Sequence, residues 1–382
     1  MSIPFDYTVP SALVLLSWYC LSASCSTRTS TAPLSVPSLS PIGVMAPQTL
    51  LNVLRSRSAV DCDTLDASVS KEFGPFVDCT SNQAIACFEL QEHRHKELLR
   101  QAAKLAKDLS PKYPEVKLEA LAVEIGMILL ALQVYPNLTG FVHIQANTFD
   151  AYSTAKTVTC ALRIVSLFKV IDASFDTSRI CIKIASTWEG LQACKELEGK
   201  HNVRTLATTL FTLEQAALAA EVGCRYIAPY VNDLRVHFDK SYTDPSPNLA
   251  LCVRAQRYFL AHGIKTEVLP ASLTSAAECM QLAGAQHITI APSLLRELAS
   301  TPADAADAPS AKARSVYDDP SLAHAPVPPL LSFLEDEAGY RIAFTRTNKG
   351  REEGKLTYAI NTFCDMQLAL EKVMKAEIAS LG

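Results

Sequence analysis

Ile180-Cys-Ile-Lys-Ile-Ala-Ser186, running straight into Thr187-Trp-Glu-Gly190, is the stretch on which the fold turns. A strand repeats every two residues, so Ile180, Ile182 and Ile184 share one face while Cys181, Lys183 and Ala185 share the other. The residues that follow, Trp188 to Lys200, space their apolar side chains three and four apart, which is the period of a helix. A strand handed directly to a helix is one unit of a parallel βα fold.

Working outward, the same alternation recurs. Eight β-rich runs are legible: Ala59 to Asp63, Phe76 to Thr80, Gly140 to Asn147, Ile180 to Ser186, Val203 to Leu210, Arg225 to Val231, Lys265 to Ser272 and His287 to Pro292. Helical patterns separate them at Gln91 to Asp108, Thr148 to Phe168, Trp188 to Lys200, Leu213 to Val222 and Pro247 to His262. Eight strands with intervening helices predict an α/β fold, a single (β/α)8 TIM barrel. The rival is an open doubly wound sheet, but its Gly-rich turn after the first strand is absent, since Asp63-Thr-Leu-Asp66 contains no glycine.

Residues 45–382 are therefore expected to form the barrel, with a long surface loop at 300–329, where Ala, Pro and Asp dominate and no periodicity survives. A helix at Ile360 to Ile378 is expected to pack at the barrel mouth. Upstream, residues 1–44 read as a disordered or signal-like extension. Ala12 to Leu21 is apolar but only half the roughly 20 residues a membrane span requires, and the Ser/Thr/Pro-rich run behind it cannot build a core. Met45 opens an amphipathic segment, MAPQTLLNVLRSRSAVD, that reads as a natural start. The expected location is cytoplasmic, with secretion through residues 1–30 as the alternative; Asn137-Leu-Thr139 is a glycosylation triplet only if the chain is exported.

Composition narrows the function classes. A chain of 382 residues that is 49% apolar buries a large core, and a net charge of -4 gives no basic face for nucleic acid. Twelve cysteines without a C-x-x-C pair, several inside apolar runs, read as reduced buried thiols. His93 and His95, two apart on a helical pattern, point to different faces, so no metal site is expected.

Lys183 carries the chemical signal. Mid-strand in a parallel barrel it is shielded from water, and desolvation disfavours the ammonium, moving the amine toward the uncharged form that attacks carbonyls. The competing reading is a lysine at a strand end that reaches out to solvent.

Four segments in order decide between them: IKIASTWEG at 182–190, ITIAPSLLRELA at 288–299, DCTSN at 78–82, and the C-terminal helix. Together they resemble the transaldolase family over roughly residues 48–382. The resemblance implies a class I aldolase, a barrel enzyme whose strand-four lysine, here Lys183, forms a Schiff base with a small-molecule ketone, and which needs no cofactor and no metal. It implies that Asp63 moves the proton of the hydroxyl at the bond being broken or made, and that Asn82 holds substrate hydroxyls. As a structural alternative, Asp63 is a helix cap.

Other positions depart from transaldolases proper. Gln145 stands in place of a glutamate, Leu206 in place of a substrate-binding asparagine, and Ala228 and Tyr230 in place of serine and phenylalanine, while Thr208 keeps the water-binding position. This combination resembles the fructose 6-phosphate aldolases, which implies that Tyr230, Gln145 and Thr208 organise the catalytic water; the plain alternative for Tyr230 is barrel filling. At the phosphate end Asp233 and Thr274 replace cations, leaving Arg235 and Ser272 as candidate phosphate ligands. The expected partners are ketone and aldehyde substrates, with no nucleic acid, no membrane, and a homodimer left open. The altered phosphate end points to a specialised, secondary-metabolic pathway. The alternatives are an ordinary transaldolase of the pentose phosphate pathway and a non-catalytic scaffold.

Overall fold

The computed structural model describes residues 48–305 and 307–381. The expectation for residues 1–44 falls outside them. Eight parallel strands run β1 Ala59–Asp63, β2 Cys79–Thr80, β3 Val142–Gln145, β4 Ile180–Ala185, β5 Arg204–Leu210, β6 Tyr226–Pro229, β7 Glu267–Val268 and β8 His287–Ile290. They are hydrogen-bonded in the order β7-β6-β5-β4-β3-β2-β1-β8. The remaining seam, between β7 and β8, is held by Thr289 N–H donating to Pro270 O at 3.3 Å and Val268 N–H donating to Gln286 Oε1 at 2.9 Å. This is the (β/α)8 barrel, nearly closed, and every predicted strand has a counterpart in it.

Helices cover the outside, and six of them start just after the chain turns off the top of a strand. There a polar side chain accepts from a backbone N–H that the first turn cannot satisfy. Asp66, Asn82, Ser153, Thr187, Thr212 and Ser275 all do this, Thr212 in a reciprocal capping box with Gln215. The alternation in β4 has its expected consequence. Ile180, Ile182 and Ile184 lie in the core between sheet and helices, whereas Cys181 and Ala185 belong to a separate cluster inside the barrel with Leu206, Tyr226, Ala228 and Tyr230. Gly190 is required in its helix because a Cβ there would run into Ala185 O.

Several elements differ from expectation. Between β2 and β3 the chain folds three helices, Gln83–Leu90, Lys96–Leu109 and Leu118–Val134, where one was read. The third is buried nearly all round, so it has no amphipathic stripe to betray it. Its stretch Leu118–Asn137 is long and apolar enough to cross a membrane, but 72% of it is packed inside the protein. The 300–329 segment carries helical turns at Pro309–Lys312, Val316–Asp318 and Pro320–Ala323, tied down where Ser315 Oγ donates to Ala283 O. The C-terminal helix is Arg351–Ser380, longer than read. It begins after three residues in the left-handed region, Asn348, Lys349 and Gly350, and it does reach the mouth: Leu356, Ala359, Ile360 and Phe363 pack into the inner cluster. A buried ion pair, Lys355 to Asp244 at 2.9 Å, anchors it there.

Candidate active site

Lys183 sits on β4 between Gln145 of β3 and Leu206 of β5, its register partners on either side. It is 2% exposed. Among the described residues none makes a hydrogen bond or ion pair to its Nζ. The lysine instead lines a cavity of about 360 Å3 at the C-terminal ends of the strands, the face on which barrel loops converge. Neither a solvent-pointing lysine nor a permanently paired one fits this placement.

The same cavity takes in Asp63, Asn82, Tyr230 and Ser272 from four other strand ends or loops. Asp63 closes β1 and its Oδ1 accepts from Thr80 Oγ1 at 2.6 Å. The helix cap in that turn is Asp66, so the carboxylate of Asp63 is left to the cavity. Asn82 gives its Oδ1 to the Ile85 N–H at 2.9 Å, which leaves its amide nitrogen as a donor. Tyr230 is buried, its ring edge-on to Phe211 at 5.7 Å, and its hydroxyl accepts from Thr208 Oγ1 at 3.5 Å. A bulge in β5 between Ala207 and Leu210, with Thr209 at φ 52°, follows directly on Thr208; such bulges re-aim strand side chains.

Gln145, Thr208, Leu206 and Ala228 stand behind the cavity wall. Gln145 donates to Thr148 Oγ1 at 3.3 Å and its own Oε1 is buried without a partner. Leu206 and Ala228 fill the barrel interior. Arg235 is the exception. It lies outside the lining, bonded to Asp239 Oδ2 at 3.0 and 3.2 Å and stacked 4.4 Å over the Tyr242 ring. Ser272 does face the cavity, in the left-handed region at φ 61°, paired with His237 Nε2 at 3.0 Å.

His237, Phe88, Phe238 and Phe363 also line the cavity and were not read from sequence. His237 and Phe238 sit in an irregular turn, and Phe363 arrives on a helix 180 residues after Lys183. No local pattern announces either.

One layer down, the barrel floor is charged, with Asp61, Asp78, His143 and His287 buried and Arg225 and Glu267 at its partly exposed edge. Asp61 accepts from Asp78 N at 2.8 Å and from His287 Nδ1 at 2.9 Å. Asp78 accepts from Phe141 N at 2.6 Å and from His143 Nε2 at 2.8 Å. Glu267 lies 2.7 Å from Arg225 and 3.4 Å from His287. Burial pushes the Asp61 carboxyl up to about 7. Burial alone would lower His287, but its hydrogen bonds to Asp61 and Glu267 raise it to about 10. Burial lowers His143, and the charge on Lys183 above pushes the same way. Asp61, Asp78 and His287 bring one donor atom each within 4.8 Å, the set among the described residues that approaches a metal-ligand group. Each carboxylate oxygen in it already has an N–H donor, so the cluster is complete as an ion-pair network.

Comparisons with known proteins give the family. The family model described as Transaldolase/Fructose-6-phosphate aldolase matches residues 60–327. The chain belongs to that family. A transaldolase of Yersinia pseudotuberculosis is 33% identical over 260 residues, covering 66% of this chain and 79% of that protein. Transaldolases of Kluyveromyces lactis and Pseudoalteromonas atlantica are 31% and 30% identical and align with 84% and 86% of this chain, covering 93% and 99% of their own lengths. Membership makes the chain an enzyme of the transaldolase-type class I aldolases, acting on small-molecule sugar-like substrates.

Proposed function

We propose that this enzyme forms or cleaves an aldol bond through a Schiff base on Lys183, with a dihydroxyacetone-like ketone as donor and an acceptor aldehyde that carries no phosphate. One observation carries the chemistry: a buried, unpaired lysine amine shares a cavity with a carboxylate, Asp63, and a phenol, Tyr230. In the cleavage direction the amine of Lys183 adds to the ketone, and water leaves the carbinolamine with Tyr230, Thr208 and Gln145 managing its protons. The iminium then draws electrons from the breaking carbon-carbon bond while Asp63 takes the proton of the β-hydroxyl. Aldehyde leaves, and the remaining enamine takes a proton and is hydrolysed to free ketone and amine.

The phosphate-free acceptor is supported at the strand-seven loop. The carboxylate of Glu278 occupies the donors a phosphate would use there, accepting from Thr274 N at 2.7 Å, Thr274 Oγ1 at 3.0 Å and Asn232 Nδ2 at 3.0 Å. With Asp233 nearby, a phosphate dianion would meet repulsion in place of charge-assisted bonds. A specialised, secondary-metabolic role follows from that departure. Ten free cysteines among the described residues, nine of them buried, suit a reducing compartment such as the cytoplasm.

Borohydride reduction in the presence of dihydroxyacetone, followed by peptide mapping, tests the Schiff base; mass added at Lys183 is expected. Cleavage of fructose at a kcat/KM comparable to that of fructose 6-phosphate is expected alongside. Efficient three-carbon transfer from fructose 6-phosphate to erythrose 4-phosphate would instead make the enzyme an ordinary transaldolase.

A further inference from the structure

We infer that the acceptor aldehyde bears an aromatic ring, held by Phe88 and Phe238 at the cavity rim and by the buried Phe363 in its wall; this rests on the aldol reading above and names its substrate class. The three phenylalanines come from three separate places in the chain: the helix Gln83–Leu90, the turn after Leu234–His237, and the C-terminal helix Arg351–Ser380. All three line the one cavity that contains Lys183. Ile85, Leu234 and Pro292 fill the spaces between them.

Single exposed apolar side chains are ordinary on protein surfaces. Convergence of several on the mouth of a reactive cavity is not, because concave sites use apolar walls with a few polar groups to orient a ligand. Phe88 is 62% exposed and Phe238 is 36% exposed, so two ring faces remain uncovered at the entrance. Aromatic rings pack on one another edge-on or offset, which favours a flat ring over a hydrated chain of hydroxyls.

Charge points the same way. Lys183 is the sole lysine or arginine among the described residues lining the cavity, and it is engaged with the donor, while Asp63 contributes a carboxylate and Glu89 one that is already paired with Arg94 and His95. An anionic acceptor finds no counter-charge and a neutral aryl aldehyde needs none. In the synthetic direction the enamine carbon on Lys183 bonds to the aldehyde carbon, and the aldehyde oxygen takes a proton from protonated Asp63. Water then hydrolyses the iminium to release a β-hydroxy ketone and the free amine.

The test pairs dihydroxyacetone with phenylacetaldehyde or with glyceraldehyde 3-phosphate and reads the ratio of the two kcat/KM values. The ratio is expected to favour phenylacetaldehyde by about tenfold or more, the scale of a well-formed apolar subsite. It is expected to fall about threefold to tenfold in Phe88→Ala, and likewise in the independent variant Phe238→Ala. A ratio at or below one, or a ratio unmoved in both variants, overturns the inference. Borohydride trapping run in parallel separates the two levels. An unlabelled Lys183 removes the aldol reading itself, whereas a labelled Lys183 without aryl preference removes only the aromatic acceptor.

Discussion

The interior of this barrel has two ends that treat charge in opposite ways. On the floor, Asp61, Asp78, His143, His287, Glu267 and Arg225 are gathered so closely that each carboxylate finds a partner. At the mouth, two residues above the floor on the neighbouring strand, Lys183 is as deeply buried and has no hydrogen-bond or ion-pair partner among the described residues. Taking a charge out of water is costly, and pairing it restores part of that cost. The floor therefore spends its charges on holding strands together, while the mouth keeps one amine free. An amine that no neighbouring carboxylate holds is left to meet a carbonyl in the cavity.

The sharpest break in that comparison is Lys183→Met. It removes the nucleophile and leaves the packing, since methionine has similar length and no charge to bury. Activity is expected to drop by about 10⁴-fold or more, the scale seen when a covalent nucleophile is lost, with stability to urea equal to or above that of the parent. Unchanged turnover would mean that the free amine is incidental.

The floor should respond the other way. Asp78→Ala leaves the Phe141 N–H and His143 Nε2 without an acceptor in a region shut off from solvent. Breaking one side of a buried pair costs on the order of 3–5 kcal/mol. The urea midpoint is expected to fall accordingly while kcat per folded molecule survives. The floor also sets a pH signature. His287 is raised to about 10 in the folded chain against about 6.5 unfolded, so the folded state holds a proton the unfolded state gives up. That stabilisation is complete below pH of about 6.5 and drains away as pH rises toward 10. Chemical denaturation at pH 6.5 and 9.5 should show the loss, and His287→Gln should flatten it.

What the sequence made legible follows the same division. Lys183 could be read locally from the period of two in its strand, whereas Asp63 and Asn82 were legible through the resemblance to the transaldolase family. The bounds of β1 and of the helix at Trp188 match the patterns, and β4 ends one residue earlier than read. Three things escaped. Leu118–Val134 is apolar on every side, so periodicity had nothing to detect. The aromatic lining is assembled from distant segments, and only tertiary packing puts Phe88 and Phe363 on one cavity. The floor was missed because Asp61, Asp78, His143 and His287 lie on four different strand-like runs, and such residues acquire meaning only when the barrel closes.

A smaller effect sharpens the mouth. Tyr230→Phe keeps the ring against Phe211 and removes the hydroxyl that meets Thr208. Loss of a positioned proton carrier is worth about 10²-fold or more in rate, and kcat is expected to fall by about that factor with KM little changed. Burst experiments with borohydride should show slower imine formation. If Tyr230 served only to fill the barrel, kcat would stay within a factor of about two.

The smallest effect is expected at Arg235, and it matters because this residue was the best candidate to grip a phosphate. Its guanidinium has both an anion, Asp239, and an aromatic face, Tyr242, on the outer surface, with 47% of the side chain exposed. To reach the cavity it would have to abandon both contacts and pass Asp233, whose own carboxylate caps the turn by accepting from the Arg235 N–H at 3.0 Å. An exposed pair of this kind is worth about 0–1 kcal/mol. Arg235→Ala should therefore leave kcat/KM for fructose and for fructose 6-phosphate each within about threefold. A selective loss of tenfold or more on the phosphorylated sugar would show the arginine swinging inward, and the mouth would then pair its charges with substrate much as the floor pairs them with itself.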